Sequence, residues 1–151
     1  MAKTLGYMIT WTTYGSWLQG DKRGFVKEGR ICPANKTLAD SNIQKLSKDP
    51  VKLSKVHRQQ VVNAIFEEAR QLNQKICALW VSSNHIHIVA EYTPNPIDEI
   101  VKYYKNAAQV ELRKMGLSGR IWTKGFDKRY CFDKESLQHR INYVNSHNKD
   151  I

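Results

Sequence analysis

Cysteine is sparse in this chain. Cys32, Cys77 and Cys131 are odd in number and far apart, and no CxxC pair occurs. That excludes a disulfide framework and a cysteine zinc site, and it fits a reducing, cytoplasmic setting. Long apolar runs are missing too, and the opening MAKTLGYMITW lacks the apolar stretch of a secretory leader. No membrane span or membrane partner is expected. Internal repeats and low-complexity tracts are absent. Acidic residues are outnumbered, with 14 Asp plus Glu against 24 Lys plus Arg, a formal charge of +10. Such a surplus favours a polyanionic partner, nucleic acid above all.

What is present suits one globular domain over residues 1–151 with a real core. LGYMITWTTYG (5–15) is rich in β-branched and aromatic residues and reads as a strand. Residues 16–37 form a Gly- and charge-rich loop with room for a short hairpin, and 45–54 is irregular. Ser54 is placed to cap a helix whose stripe is Val62, Ile65, Phe66, Ala69 and Leu72. KICALWVSS (75–83) and HIHIVAEY (85–92) read as strands. After Asn95-Pro96 a helix carries Ile97, Val101, Tyr104, Ala108 and Leu112 on one face. GRIWTKGFDKRYCF (119–132) reads as a short strand pair around Gly125. Asp133 then caps a last helix docked by Leu137, Ile141 and Val144. The fold class is α+β: a ferredoxin-like split β-α-β-β-α-β antiparallel sheet plus a C-terminal helix. Two helices should cover one face and leave the other for function.

The chemistry centres on His85-Ile86-His87. Strand alternation sends Ile86 and Ile88 toward the helices and sets His85 and His87 side by side on the opposite face. Two adjacent imidazoles can grip one divalent ion, but two ligands make an incomplete site. On the last helix Tyr143 and His147 are four apart and share a face, with His139 four before Tyr143. On the residues alone, packing residues, solvated histidines and a helix end are the plainer account of the same pattern.

HIHIV after a strand, a basic helix, and IWTKGFDKRYCFDKESLQHRINYVNSHN together resemble the IS200/IS605-like and REP-associated tyrosine transposases. TWTTYGSWLQGDKRG looks like the opening of one branch of that family. These are HUH single-strand nucleases, U being a bulky apolar residue, here Ile86. The resemblance implies that Tyr143 attacks a DNA phosphodiester, leaving a 5′-phosphotyrosine and a free 3′-OH. It implies a divalent metal ion, Mg²⁺ or Mn²⁺ first and other transition metals next, on His85 and His87. The family's third ligand, four residues after the tyrosine, is usually an amide. Here it is His147, which shifts preference toward softer metals. Single-stranded or hairpin DNA as partner, and a homodimer, follow from the same likeness.

Lys102, Lys105, Gln109 and Arg113 fall at spacings of three and four, a polar stripe that could track a phosphate backbone or merely face solvent. Lys22 and Arg23 in the early loop, with Lys124, Lys128 and Arg129, extend the basic set. Trp11, Trp17, Trp122 and Phe126 are candidates for stacking on bases or for the core. Two rival functions stay open. One is a non-catalytic DNA- or RNA-binding module on this fold. The other is a metal-dependent phosphoesterase that uses water and leaves Tyr143 idle.

Overall fold

A computed structural model describes residues 3–16, 25–27, 30–32 and 50–148, with side chains described in the first and last of these ranges, except that of Asn148. Strand β1 is Gly6–Thr12. Strands β2 (Phe25–Lys27) and β3 (Arg30–Cys32) pair as the short antiparallel hairpin for which the early loop has room. Then come helix α1 (Lys55–Gln71), strands β4 (Ile76–Val81) and β5 (His85–Glu91), and helix α2 (Ile97–Lys114). Strand β6 (Asp127–Cys131) and helix α3 (Lys134–Asn148) complete the described elements. The main sheet has the order β4-β5-β1-β6, and all its pairings are antiparallel. That is the split β-α-β-β-α-β arrangement expected.

Alternation along the strands sorts residues into two cores. Tyr7, Ile9 and Trp11 of β1 join Ile86, Ile88 and Ala90 of β5 under α1 and α2. All five stripe residues of α2 take part, with Val101, Tyr104, Ala108 and Leu112 buried and Ile97 partly so. The large aliphatic side chains among them, Val101 and Leu112, each contribute about 1.5–3 kcal/mol by leaving water. On the opposite face Met8, Ala78 and Val89 form a smaller core, where Val144 is fully buried and Leu137 and Ile141 pack at the margin. Helix α3 thus lies across part of the face expected to be open. Gly6 allows this: a Cβ there would stand 2.5 Å from the Ala90 carbonyl oxygen and 2.9 Å from Leu137 Cδ1.

Local signals act as expected at the helix starts. Ser54 Oγ accepts from the His57 amide, and His57 Nδ1 accepts from the Ser54 amide, so His57 fills the role a Glu or Gln takes in a capping box. Asp133 Oδ1 accepts from the Ser136 amide and starts α3. Two expectations need correction. The buried face of α1 is Val61, Ala64, Ile65 and Ala69, while Phe66 is exposed. Adjacent apolar pairs (61/62 and 65/66) fit two stripes a hundred degrees apart, and the sheet selects one. Residues 119–132 do not pair with each other around Gly125. Instead β6 pairs with β1, and Trp122 makes an isolated bridge to Thr13 just past the end of β1, so both halves lean on the same stretch of chain.

Candidate active site on the sheet face under the last helix

The β4–β5 hairpin builds the site. Its turn is braced by Ser82, whose Oγ accepts from the amides of Asn84 and His85. The same hydroxyl stands 2.8 Å from His85 Nδ1, and Asn84 Oδ1 lies 2.7 Å from that nitrogen. An amide oxygen only accepts, so Nδ1 carries a proton. His87 Nδ1 pairs with Thr10 Oγ1 at 2.8 Å. Register lays Asp127, Thr10, His87 and Trp80 in one row across the sheet, on the face that α3 covers in part. His85 and His87 are side by side, as expected, with ring centroids 4.9 Å apart.

Helix α3 brings Tyr143 and His147 to this row. The Tyr143 ring is 5.9 Å from His87 and 4.6 Å from His147. Tyr143 remains exposed. His147 Nδ1–H donates to the Tyr143 carbonyl oxygen at 2.8 Å, which ties the imidazole to its own helix. His139 lies apart, in a surface hollow with Asp133, Glu135, Ser136 and Arg140.

Trp80 was not singled out by the sequence reading, and it touches every imidazole of the site. It stacks on His87 at 5.5 Å and 15°, meets His85 edge-on at 4.8 Å, and lies 4.6 Å from His147. Its position opposite His87 follows from the hairpin register, which pairs the last residues of 75–83 with the first of 85–92. That pairing was the available signal.

His87 is buried, and its pKa falls to about 4. Burial is the main cause, the neighbouring His85 and His147 add to it, and Asp127 opposes it. A neutral imidazole at physiological pH is the form that binds metal. His87 therefore has the donor chemistry for a divalent ion, with the His85 imidazole beside it. The third ligand is a different matter. Among the described residues no group of three or more His, Cys, Asp or Glu side chains is arranged to hold a metal. The indole of Trp80 lies in ring contact with both His85 and His147.

The basic residues do not gather here. Helix α2 packs on the other side of the sheet, against Ile86 and Ile88, so Lys102, Lys105, Gln109 and Arg113 belong to that side. Lys102, Lys105 and Gln109 line a groove of about 360 Å³ with Asp98, Trp122 and Phe126. The Lys105 ammonium donates to the carbonyls of Thr123 and Gly125, and burial lowers its pKa with help from Arg120. Arg113 donates to the Gly119 carbonyl. Arg129 is on the histidine face of β6, paired with Asp127, and Lys124 is exposed in the preceding turn. Arg23, Lys22 and Trp17 lie outside the described residues. Trp11 and Trp122 are core residues in edge-to-face contact, and Phe126 is partly buried against the same core.

The IS200-like transposase model matches residues 47–147, and the chain belongs to that family. The structure is similar to that of a REP-associated tyrosine transposase bound to a REP hairpin. The two share a TM-score of 0.59 and 14% identity, over 98% of this chain and 68% of that one. It is also similar to a candidate transposase from Deinococcus radiodurans R1, with a TM-score of 0.51 and 16% identity, over 97% and 92% of the two chains. At such identities these likenesses speak for the fold. No curated protein matches the chain. Among the described residues no helix is long and apolar enough to cross a membrane.

Proposed function

We propose that this transposase is a metal-dependent single-strand DNA endonuclease and strand transferase with Tyr143 as nucleophile. The supporting observation is the meeting of an exposed Tyr143 ring with a buried, neutral His87, 5.9 Å apart, beside His85. The phenol oxygen of Tyr143 attacks phosphorus, the bond from phosphorus to the 3′ oxygen breaks, and that oxygen leaves as a 3′-OH. The product is a 5′-phosphotyrosine, which keeps the ester bond and lets a 3′-OH rejoin the strand in reverse.

A phenol of pKa about 10 is roughly 0.1% ionised at neutral pH, so the reaction needs help at the phosphate. When held by His85 and His87, a divalent ion, Mg²⁺ or Mn²⁺, supplies charge neutralisation for the phosphate oxygens. Thr10 orients His87, and Ser82 with Asn84 orients His85, so both imidazoles meet a substrate without rearranging. The substrate in this reading is hairpin-bearing or single-stranded DNA, in keeping with the hairpin bound by the similar structure. Lys124 and Arg129 are the charged contacts offered to its backbone near the site, while Lys102 and Gln109 offer theirs from the opposite side of the sheet. The protein would act as one domain and as a homodimer, which light scattering checks.

The test mixes the protein with 5′- or 3′-labelled hairpin oligonucleotides from the DNA flanking its gene, with Mn²⁺ or Mg²⁺. A denaturing gel should carry a protein-linked band holding only the segment 3′ of the nick. The band should vanish with EDTA or Tyr143→Phe. Binding without an adduct across metals and flanks would favour the binding module, and cleavage surviving Tyr143→Phe would favour a water-using phosphoesterase.

A further inference from the structure

We infer that Tyr130 and Phe132 form a stacking platform for unpaired bases of single-stranded DNA, with Lys128 beside them for the phosphate that joins those bases. This rests on the reading above that the substrate is single-stranded or hairpin-bearing DNA. It concerns the path of the strand beyond Tyr143 and leaves the chemistry there untouched.

Among the described strands β6 is last in the order of the main sheet. Register sorts its side chains by face. Arg129 pairs with Met8, on the side that α3 covers in part, whereas Lys128 and Tyr130 pair with Ile9 and Tyr7, on the side of the main core. The Tyr130 ring meets buried Tyr7 edge-on, with centroids 6.4 Å apart, so the core holds it in place. The Phe132 ring stands 6.3 Å from Tyr130 at a tilt of 34°. Tyr130 is 45% exposed and Phe132 51%, so two neighbouring rings keep about half their surface in water. Phe132 has no polar atom to gain from that exposure, and such a pair at a sheet edge marks a binding surface.

Charge decides what binds there. The Lys128 ammonium lies 5.8 Å from the centroid of the Tyr130 ring, on a chain with a formal charge of +10. Every base has a π face, so exposed rings accept bases of any sequence, and an ammonium beside the rings takes the phosphate. The platform is also close to the site. Asp127 shares the row of Thr10 and His87, and Tyr130 follows it by three residues, about 10 Å of strand. A DNA strand leaving the histidine face past Arg129 meets Lys128 and Tyr130 as it rounds the edge of β6.

Fluorescence anisotropy with a labelled oligothymidylate in EDTA tests this apart from cleavage. Phe132→Ala should weaken binding roughly 5- to 150-fold, the range that loss of one base–aromatic stack brings. Phe132→Leu keeps an apolar side chain without a π face and should lose nearly as much, while Phe132→Trp should bind at least as tightly as wild type. Lys128→Met should lower the slope of log affinity against log salt by about one. Phe66→Ala, at a similarly exposed ring on α1, should leave binding unchanged. With iodouracil in the oligonucleotide, photo-crosslinking should attach nucleotide to Tyr130 or Phe132.

Unchanged affinity in Phe132→Ala, or an equal loss in Phe66→Ala, overturns the inference and leaves the nuclease reading intact. Wild-type affinity in Phe132→Leu also overturns it, since the contact is then apolar and not a stack. So does slower sedimentation of DNA-free Phe132→Ala, because the rings then contact another protein chain. Should Phe132→Ala fail to fold, as judged by circular dichroism, Phe132→Leu and the crosslink decide. The predicted binding pattern without any DNA adduct in Mn²⁺ would leave the platform standing and overturn the strand-transferase reading.

Discussion

Helix α3 carries Tyr143 but is tied to the sheet by a small core, and Val144→Ala should expose that weakness. Val144 is its one fully buried hydrophobic residue, and it meets Met8, Ala78 and Val89, with Leu137 and Ile141 only partly covered. The substitution removes two methyl-sized groups, at about 0.8 kcal/mol each, and leaves a cavity that adds to the loss. The sum is about 2 kcal/mol, and since 1.4 kcal/mol is tenfold, local opening of α3 should become roughly 30-fold more frequent. The main core under α1 and α2 does not involve Val144, so α3 should open without the sheet. Native-state hydrogen exchange of the unaltered protein reads this: amides of the last two turns of α3 should have a smaller opening free energy than those of Ile9 and Ile88, and Val144→Ala should speed the α3 amides about 30-fold. If α3 and sheet amides share one opening free energy in the unaltered protein, α3 opens only with global unfolding and the two-core description is wrong.

Other substitutions separate structural from binding roles. Lys105→Met should lower stability by about 1–2 kcal/mol, because the Thr123 and Gly125 carbonyls lose a charged donor, and it should leave the salt dependence of DNA binding unchanged. Exposed Lys102→Ala should do the reverse, reducing the slope of log affinity against log salt by about one with an unchanged melting temperature. Gln74 links Tyr7, Tyr104 and the Glu91 carbonyl inside the main core, so Gln74→Leu should lower stability by about 1–3 kcal/mol in urea titration. Ser54→Ala should lower it by about 1 kcal/mol through loss of the α1 cap.

Much of the fold was legible because its signals are local. Alternation in HIHIVAEY decides which residues of β5 face which core, and the five-residue stripe of α2 has a single helical solution. The pairing of 119–132 was not legible, since nothing in those residues says that β1 and the residue just past it would serve both halves. The tyrosine and the histidine pair could be brought together only through the family resemblance, because a strand and a helix separated by fifty-odd residues carry no spacing rule. Trp80 was hidden for a related reason: its partners are set by cross-strand register, which the residue types do not state. The basic stripe of α2 was visible, but a stripe does not tell which side of the sheet its helix will cover, and it lies opposite the histidines.

The most direct test of the account is mass spectrometry of the protein after reaction with a hairpin oligonucleotide and Mn²⁺, followed by nuclease and protease digestion. The account predicts a single peptide carrying a nucleotide through its 5′ phosphate, with fragment ions that assign the modification to Tyr143. A nucleotide mapped to any other residue, or cleaved DNA with no modified peptide, would contradict it.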